Sequence, residues 1–194
     1  MNSIVRQIKD SIAIRDKILT DTKFLNLIEE SAMKISNAYK SGYKTLIAGN
    51  GGSAADAQHM AGEFVSRLYF DRPGLPSIAL TADTSVITAI GNDYGYDKIF
   101  ARQIEAQGVS GDIFLGISTS GNSNNILEGI RKCIEKKIFT IGLTGEKGGE
   151  MANLCNICIQ VPSNETTRIQ EVHIFIEHVI CGIVEENLFM KYKK

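Results

Sequence analysis

The chain has 194 residues, 43% of them hydrophobic and 22% charged, with a formal net charge of −1 at pH 7. This balance is typical of one soluble domain, and it excludes the strongly basic field with which proteins attract nucleic acid. No segment approaches the roughly 18 apolar residues of a membrane span, and the amino terminus lacks the apolar core of a signal peptide. We therefore expect a cytoplasmic protein, with the basic cluster at 191–194 as a solvated chain end.

About forty residues at the amino terminus show the periodicity of helices. Their apolar residues recur at helical spacing, at Ile4, Ile8, Ile12, Leu25, Ile28, Met33 and Ile35. This is more apolar surface than a monomer needs, so we predict that residues 1–42 pack between subunits of an oligomer. Packing on their own sheet is the alternative. No composition break divides the chain, and we treat 1–194 as a single domain with its α/β core and last helix at 43–194.

Five short apolar runs indicate strands that are buried on both faces, as in a parallel sheet. Helix-length stretches separate them, and a long helix is predicted over Thr166–Met190. The alternation predicts an α/β fold with a doubly wound, five-stranded parallel sheet flanked by helices, with additional helices at both termini. The predicted strands are Thr45–Ala48, Ser77–Leu80, Ile113–Ile117, Phe139–Leu143 and Ile157–Val161.

A glycine-rich loop follows the first predicted strand, with Asn50, Gly51, Gly52 and Ser53 in sequence. Glycine allows the backbone to approach a ligand closely, and amides at a helix start bind anions. Ser53 and Asp56 have the spacing of a capping box, so helix capping alone explains those two residues. The loop has neither the P-loop nor the dinucleotide-binding spacing, which disfavours a nucleotide.

A second loop, residues 116–123, follows the third predicted strand and is rich in hydroxyl groups. One capping hydroxyl would suffice for a strand-to-helix connection, and here Asn122 is predicted to open the next helix. The excess indicates a phosphate site. The hydroxyls belong to Ser118, Thr119, Ser120 and Ser123.

All three histidines of the chain lie on two predicted helices. His59 and Glu63 are four residues apart on the first of these, so both side chains can reach one ion or one substrate; a surface pair is the simpler alternative. On the last helix, Gln170 and His178 share one side, and His173 with Glu177 lie along its edge. Helical geometry does not choose between these two pairs.

Two further polar features have simpler explanations. Asn92 and Asp93 form a polar pair that a turn would explain. Cys155 and Cys158 have the C-x-x-C spacing of a metal or redox site, but the pair stands alone in an apolar run from Leu154 to Val161 that is predicted to be a strand. We therefore interpret all four cysteines of the chain as buried, inert thiols.

Four strings together resemble those of the phosphoheptose isomerases, within the sugar isomerase (SIS) domain family. The resemblance extends from the amino-terminal helices through the last helix, and one string alone would indicate only an SIS domain. It implies conversion of sedoheptulose 7-phosphate to D-glycero-D-manno-heptose 7-phosphate through an enediol, for ADP-heptose or GDP-heptose precursors of lipopolysaccharide or capsule. The strings are residues 49–59, 91–93, 116–123 and 168–173.

The resemblance also implies the roles of individual residues. It implies one zinc ion per subunit, held by His59, Glu63, Gln170 and His178, with Glu63 and His178 as general base and acid. Thr167 stands where some relatives have an acidic residue, so no acid acts at that position here. The implied substrate-binding residues are Asn50, Gly51, Gly52, Ser53, Glu63, Asn92, Asp93, Ser118, Thr119, Ser120, Ser123 and Gln170.

Family members are homotetramers with active sites shared between subunits, which matches the apolar terminal helices. Three alternatives stay open on the sequence alone. One is a non-catalytic SIS protein that binds a replication initiator, although such relatives lack the full metal quartet. Another is an enzyme for a different sugar phosphate, and the third is a sugar-phosphate-sensing regulator, for which the first forty residues leave no room for a DNA-binding domain.

Overall fold

Two helices precede the sheet in the computed structural model, which describes residues 2–190. They are α1 (Asn2–Thr20) and α2 (Thr22–Lys40), as the periodicity predicts. Asp21 separates them because its carboxylate accepts a hydrogen bond from the Phe24 amide at 3.0 Å and so caps α2. The predicted solvated tail at 191–194 lies outside the described residues.

A five-stranded parallel sheet forms the centre of the domain. Its strands are β1 (Thr45–Gly49), β2 (Ser77–Ala79), β3 (Ile113–Ile117), β4 (Phe139–Gly145) and β5 (Ile157–Val161). They lie in the order β2-β1-β3-β4-β5, which confirms the predicted doubly wound fold. The predicted strand limits differ from these by at most two residues, the largest difference being the extension of β4 to Gly145.

Helices cover both faces of the sheet, because alternate strand residues point to opposite sides. The remaining helices are α3 (Gly52–Val65), α4 (Thr84–Tyr94), α5 (Ile99–Gln107), α6 (Asn124–Lys136), α7 (Met151–Leu154) and α8 (Thr166–Phe189). Ile47 packs into the core that α1, α2, α3 and α8 share. Leu46 and Ala48 pack into the core formed with α4, α5 and α6. A single 3₁₀ turn, Tyr96–Lys98, joins α4 to α5.

The strand order brings the two predicted loops together. The chain adds β2 on one side of β1 and then β3 on the other side, so the strand order changes direction between β1 and β3. These two strands pair in parallel, with Gly49 opposite Ile117. The glycine-rich loop and the hydroxyl-rich loop therefore leave adjacent strands at the same edge. Ligands of open α/β sheets bind at this switch point.

The cysteine pair lies at the far strand. Leu154 ends α7, so the interpretation of the whole run from Leu154 to Val161 as a strand is wrong; β5 begins at Ile157, the start given for the fifth predicted strand. Asn156 accounts for the start of the strand at Ile157, because its side-chain oxygen accepts hydrogen bonds from the Thr140 amide and hydroxyl at 2.8 and 3.0 Å, where a strand residue would pair through its backbone. Burial raises the pKa of Cys155 to about 12 and that of Cys158 to about 11. Both thiols are free and stay protonated at neutral pH, which supports the inert interpretation. The prediction that all four cysteines are buried is wrong for this pair, since only Cys133 and Cys181 are buried and Cys155 and Cys158 are partly exposed.

The amino-terminal helix exposes an apolar stripe. Only Ile14 and Ile18 of α1 are buried. Among the described residues, no helix has the length and apolarity needed to cross a membrane. The exposed apolar side chains of α1 are Ile4, Val5, Ile8, Ile12 and Leu19.

Candidate active site

The glycine-rich loop turns sharply into α3. Gly51 occupies the position before the helix with φ +56°, a left-handed conformation that glycine adopts without strain. The predicted capping role of Ser53 is wrong, because the helix begins at Gly52 and Ser53 lies buried in its first turn. No side chain caps this helix end, which leaves its amides available to a ligand.

Asn50 is held in a network of side-chain hydrogen bonds. Its amide nitrogen donates to Oδ1 of Asn125 at 2.9 Å, and the amide nitrogen of Asn125 donates back to Oδ1 of Asn50 at 2.8 Å. The Tyr96 hydroxyl donates to the same Asn50 oxygen at 3.0 Å. The network fixes the side chain of Asn50 between the first loop, α6 and the 3₁₀ turn.

The hydroxyl-rich loop forms a compact cluster. Ser118 Oγ lies 2.9 Å from Ser123 Oγ and 3.4 Å from Ser120 Oγ. The prediction that Asn122 opens the next helix is wrong, because α6 begins at Asn124 and the Asn122 side chain accepts a hydrogen bond from the Glu150 amide at 2.8 Å. Ser123 stands immediately before α6 without capping it through its side chain. Its hydroxyl faces the other hydroxyls instead.

A cavity of about 290 Å³ adjoins this loop at the carboxyl ends of β3 and β4. Thr119 and Ser120 line one side, and Thr166 of the first turn of α8 lines another. Lys147 supplies the basic side chain and Glu146 the acidic one. The cavity can therefore accept an anion through hydroxyls, a helix amino terminus and one ammonium group.

Side chains of α3 and α8 converge beside the glycine-rich loop. His59 Nε2 lies 2.8 Å from His178 Nε2 and 3.5 Å from Glu63 Oε1. One donor atom from each of the three residues lies within 4.8 Å of the others. The spacing of four residues on α3 places His59 and Glu63 on one face, and α8 brings His178 to them from a distant part of the chain.

Gln170 reaches the same region two helical turns before His178. A Cβ atom at Gly52 would lie 2.7 Å from Gln170 Nε2. Only glycine therefore leaves room for this amide against the start of α3. The contact links the glycine-rich loop to the helix that carries His178.

The converging residues have the chemistry of a divalent metal centre. Two imidazoles and one carboxylate form a common ligand set of catalytic zinc, in which a further position stays open to water or substrate. Three suitable donor atoms on two different helices fit such an ion better than a surface pair.

The other pair on α8, His173 and Glu177, lies inside the domain. Nε2 of His173 lies 3.2 Å from the Thr144 carbonyl oxygen, and burial lowers the pKa of His173 to about 4. Burial, with a smaller effect of Asp56, raises the pKa of Glu177 well above its usual value. Both carboxyl oxygens of Glu177 lack a hydrogen-bond partner among the described residues. His173 is thus uncharged at neutral pH, and neither residue belongs to the cluster of His59, Glu63 and His178.

Comparisons with known proteins identify the family of this chain. A family model described as the SIS domain matches residues 9–145. Phosphoheptose isomerase 2 of Campylobacter jejuni is 60% identical over 192 residues, which cover 98% of this chain and 96% of that protein. The phosphoheptose isomerase of Aneurinibacillus thermoaerophilus is 60% identical over 190 residues, which cover 97% and 96% of the two chains. The chain belongs to the phosphoheptose isomerase family.

Solved structures of phosphoheptose isomerases have the same fold. The structure from Neisseria gonorrhoeae aligns with a TM-score of 0.89 at 37% identity and covers 95% of this chain and 98% of its own. The structure from Francisella tularensis aligns with a TM-score of 0.91 at 36% identity, with 95% and 97% covered.

Two polar positions implied by the likeness to phosphoheptose isomerases lie apart from the cluster. Asn92 and Asp93 are exposed in the last turn of α4, and their side chains hydrogen-bond each other at 2.8 Å. The turn considered as their alternative is therefore wrong. Thr167 is exposed in the first turn of α8.

Four residues near the site of this phosphoheptose isomerase family member escaped the sequence analysis. Asn125 and Tyr96 hold Asn50, and an ion pair of Arg72 with Glu185 joins the end of α3 to α8. A signal for Glu185 was present, because ionisable residues recur at every fourth position along one line of the last helix. That stripe consists of His173, Glu177, Cys181 and Glu185, all of them buried.

Proposed function

We propose that this chain interconverts sedoheptulose 7-phosphate and D-glycero-D-manno-heptose 7-phosphate. The observation that carries the proposal is the convergence of His59, Glu63 and His178 beside the two ligand-binding loops. The names of the relatives support a heptose phosphate as substrate. Nothing in the comparisons supports the alternative of a non-catalytic protein that binds a replication initiator.

The reaction requires two kinds of proton transfer. A proton moves between C1 and C2 of the sugar through an enediol, and a second proton moves between the two oxygens. Glu63 is the base that removes the proton from carbon and returns it to the neighbouring carbon, because an ionised carboxylate can accept a proton and give it back. His178 serves the oxygens as acid. Well-placed groups of this kind each accelerate a reaction about 10²–10⁴-fold.

The proposed cofactor is one zinc ion per subunit, held by His59, Glu63, Gln170 and His178. A bound zinc ion would supply Lewis-acid stabilisation of negative charge that develops on the sugar oxygens. The imidazoles contribute neutral nitrogen ligands and Glu63 a charged oxygen. Gln170 contributes its amide oxygen from the first half of α8.

The substrate is held by the two loops at the switch point. We assign contacts with the sugar to Asn50, Gly51, Gly52 and Ser53 and to the pair Asn92 and Asp93. The second loop binds the phosphate, because its hydroxyls and the start of α6 provide donors without a fixed charge. The phosphate-binding hydroxyls are Ser118, Thr119, Ser120 and Ser123.

We further propose that the enzyme works as a homotetramer in the cytoplasm. The exposed stripe on α1, with Ile4, Ile8 and Ile12 each more than half exposed, is apolar surface that a second copy would cover. Family likeness supports active sites shared between subunits. The product would supply ADP-heptose or GDP-heptose precursors of lipopolysaccharide or capsule.

The test is an assay of purified, zinc-loaded protein with sedoheptulose 7-phosphate. Formation of the aldoheptose phosphate is followed for the wild type, for His178→Ala and for a chelator-treated sample. We expect product with the wild type and its loss in both controls. A folded, zinc-bound wild type that forms no product would overturn the assignment and redirect the search to other sugar phosphates.

A further inference from the structure

A buried ion pair joins the two helices that carry the candidate metal ligands. Arg72 Nε lies 2.9 Å from Glu185 Oε1, and each side chain is only 1% exposed. Arg72 follows α3 in the chain, and Glu185 lies on α8. Desolvation largely offsets the attraction within such a pair, so stability alone does not explain its presence.

The guanidinium group of Arg72 binds the end of α3 directly. Nη2 donates to the backbone carbonyl of Glu63 at 2.8 Å, and Nη1 donates to that of Phe64 at 2.7 Å. These carbonyls belong to the last helical turn, which has no partners of its own within the helix. A positive charge at this end also complements the helix dipole. Arg72 therefore holds the backbone of a candidate metal ligand.

The carboxylate of Glu185 binds the segment that leaves α3. Its two oxygens accept hydrogen bonds from the amides of Leu68 and Tyr69, at 3.1 and 2.8 Å, in addition to the bond from Arg72. The carboxylate therefore accepts three hydrogen bonds, two on Oε1 and one on Oε2. Glu185 lies seven residues after His178, about 10 Å along the helix.

We infer that Arg72 and Glu185 are positioning residues that set the separation of α3 from α8 and thereby the distance between Glu63 and His178. This inference rests on the proposed metal centre. Metal ligands must hold their distances within about 0.2 Å, whereas helices in a packed core can shift by more when a polar anchor is lost. The guanidinium group of Arg72 holds the backbone carbonyl of Glu63, and its ion pair with Glu185 connects it to α8, the helix that carries His178.

The control is a second buried carboxylate, Asp112, which has the same kinds of partner, two backbone amides and one cationic side chain. It lies at the amino ends of the strands, opposite the candidate site. Asp112 accepts hydrogen bonds from the amides of Lys44 and Val109 at 3.1 and 2.9 Å, and its Oδ2 lies 2.6 Å from Lys44 Nζ. Asp112 and Lys44 directly precede β3 and β1. Their loss would destabilise the domain without reaching the site.

The experiment measures the zinc dissociation constant of folded apoprotein by competition with a chromophoric chelator. The variants are Arg72→Lys, Glu185→Gln and the control Asp112→Asn, all measured well below their unfolding midpoints. We expect the first two to weaken zinc binding about 10–100-fold, the range for residues that orient metal ligands. Arg72→Lys keeps the charge but loses the fork. Glu185→Gln keeps the shape and provides the second test if the lysine variant does not fold.

Two results would overturn the inference. One is a folded Glu185→Gln variant with the zinc affinity of the wild type. The other is an equal loss of affinity in Asp112→Asn, which would show general loosening of the domain rather than positioning. Wild-type protein that binds no zinc at all would instead remove the proposed metal centre, and this role of the pair with it.

Discussion

Nε2 of His59 and Nε2 of His178 lie 2.8 Å apart, although 119 residues separate them in the chain. At this distance one imidazole N–H donates a hydrogen bond to the other ring nitrogen, or both nitrogens bind a shared ion. With Glu63 Oε1 3.5 Å from His59 Nε2, the second arrangement uses all three side chains.

Replacement of Glu63 by glutamine should remove most of the activity. The amide cannot accept the carbon proton, so we expect turnover to fall about 10²–10⁴-fold. The side chain is partly exposed, and the fold should persist. Product formation in excess zinc is the measurement, with Glu135→Gln on the far face as a surface control. Normal turnover by Glu63→Gln would rule out Glu63 as the base.

Addition of a methyl group at Gly52 should displace Gln170. The new Cβ would lie 2.7 Å from Gln170 Nε2, and a displacement near 1 Å in a catalytic site costs about 10²-fold in rate. The matched control is Gly62→Ala on the same helix, where a Cβ meets nothing within 4 Å. Alanine there should raise stability by about 0.5–1 kcal/mol. Equal kcat/KM values for the two variants would contradict the role of this contact.

Replacement of Asn125 by aspartate should weaken substrate binding through Asn50. Aspartate still accepts from the Asn50 amide nitrogen, but it cannot donate to Asn50 Oδ1, so one of the two reciprocal bonds becomes a repulsive contact between oxygens. We expect KM to rise roughly tenfold, equivalent to about 1.4 kcal/mol. Tyr96→Phe removes only one exposed hydrogen bond and should raise KM about threefold. The order of the two effects would reverse if Tyr96 rather than Asn125 held Asn50.

His173 should make the domain sensitive to acid. Its pKa falls from 6.5 to about 4 on folding because of burial, so the unfolded chain binds a proton that the folded one refuses between these pH values. Stability is therefore lost as the pH falls from about 6.5 to 4, by roughly 3 kcal/mol in total. Denaturant unfolding of chelated wild type and His173→Gln over this range measures the effect. The difference between the two proteins should change with pH inside this window and be constant above it.

The fold followed from local patterns because each strand is a short run of apolar residues flanked by helical periodicity. The site was only partly accessible in this way. Spacing on one helix brought His59 and Glu63 together. Periodicity could not distinguish His178 from His173, since the polar residues of their helix are spread over several of its sides. Family resemblance supplied that choice. Burial by neighbouring helices, which a one-dimensional pattern does not contain, decides it in the structure.

Residues that act through the backbone were missed for a related reason. Arg72 binds carbonyl groups, which every residue carries, so no side-chain motif marks its partners. The capping prediction for Ser53 failed because the turn at Gly51 moves the helix start two residues closer to the strand than the capping box assumes. Backbone conformation decided both cases.

The docking of α8 against α3 means that the cluster is completed late in synthesis of the chain. His59 and Glu63 are synthesised within the first third of the chain, but His178 follows more than a hundred residues later. The growing chain can therefore form the strands β1 to β5 while the three donor atoms are still incomplete. A metal ion held by all three side chains would therefore bind only after α8 has packed against α3, and loss of the last helix would remove His178 together with core side chains such as Ile176 and Ile180.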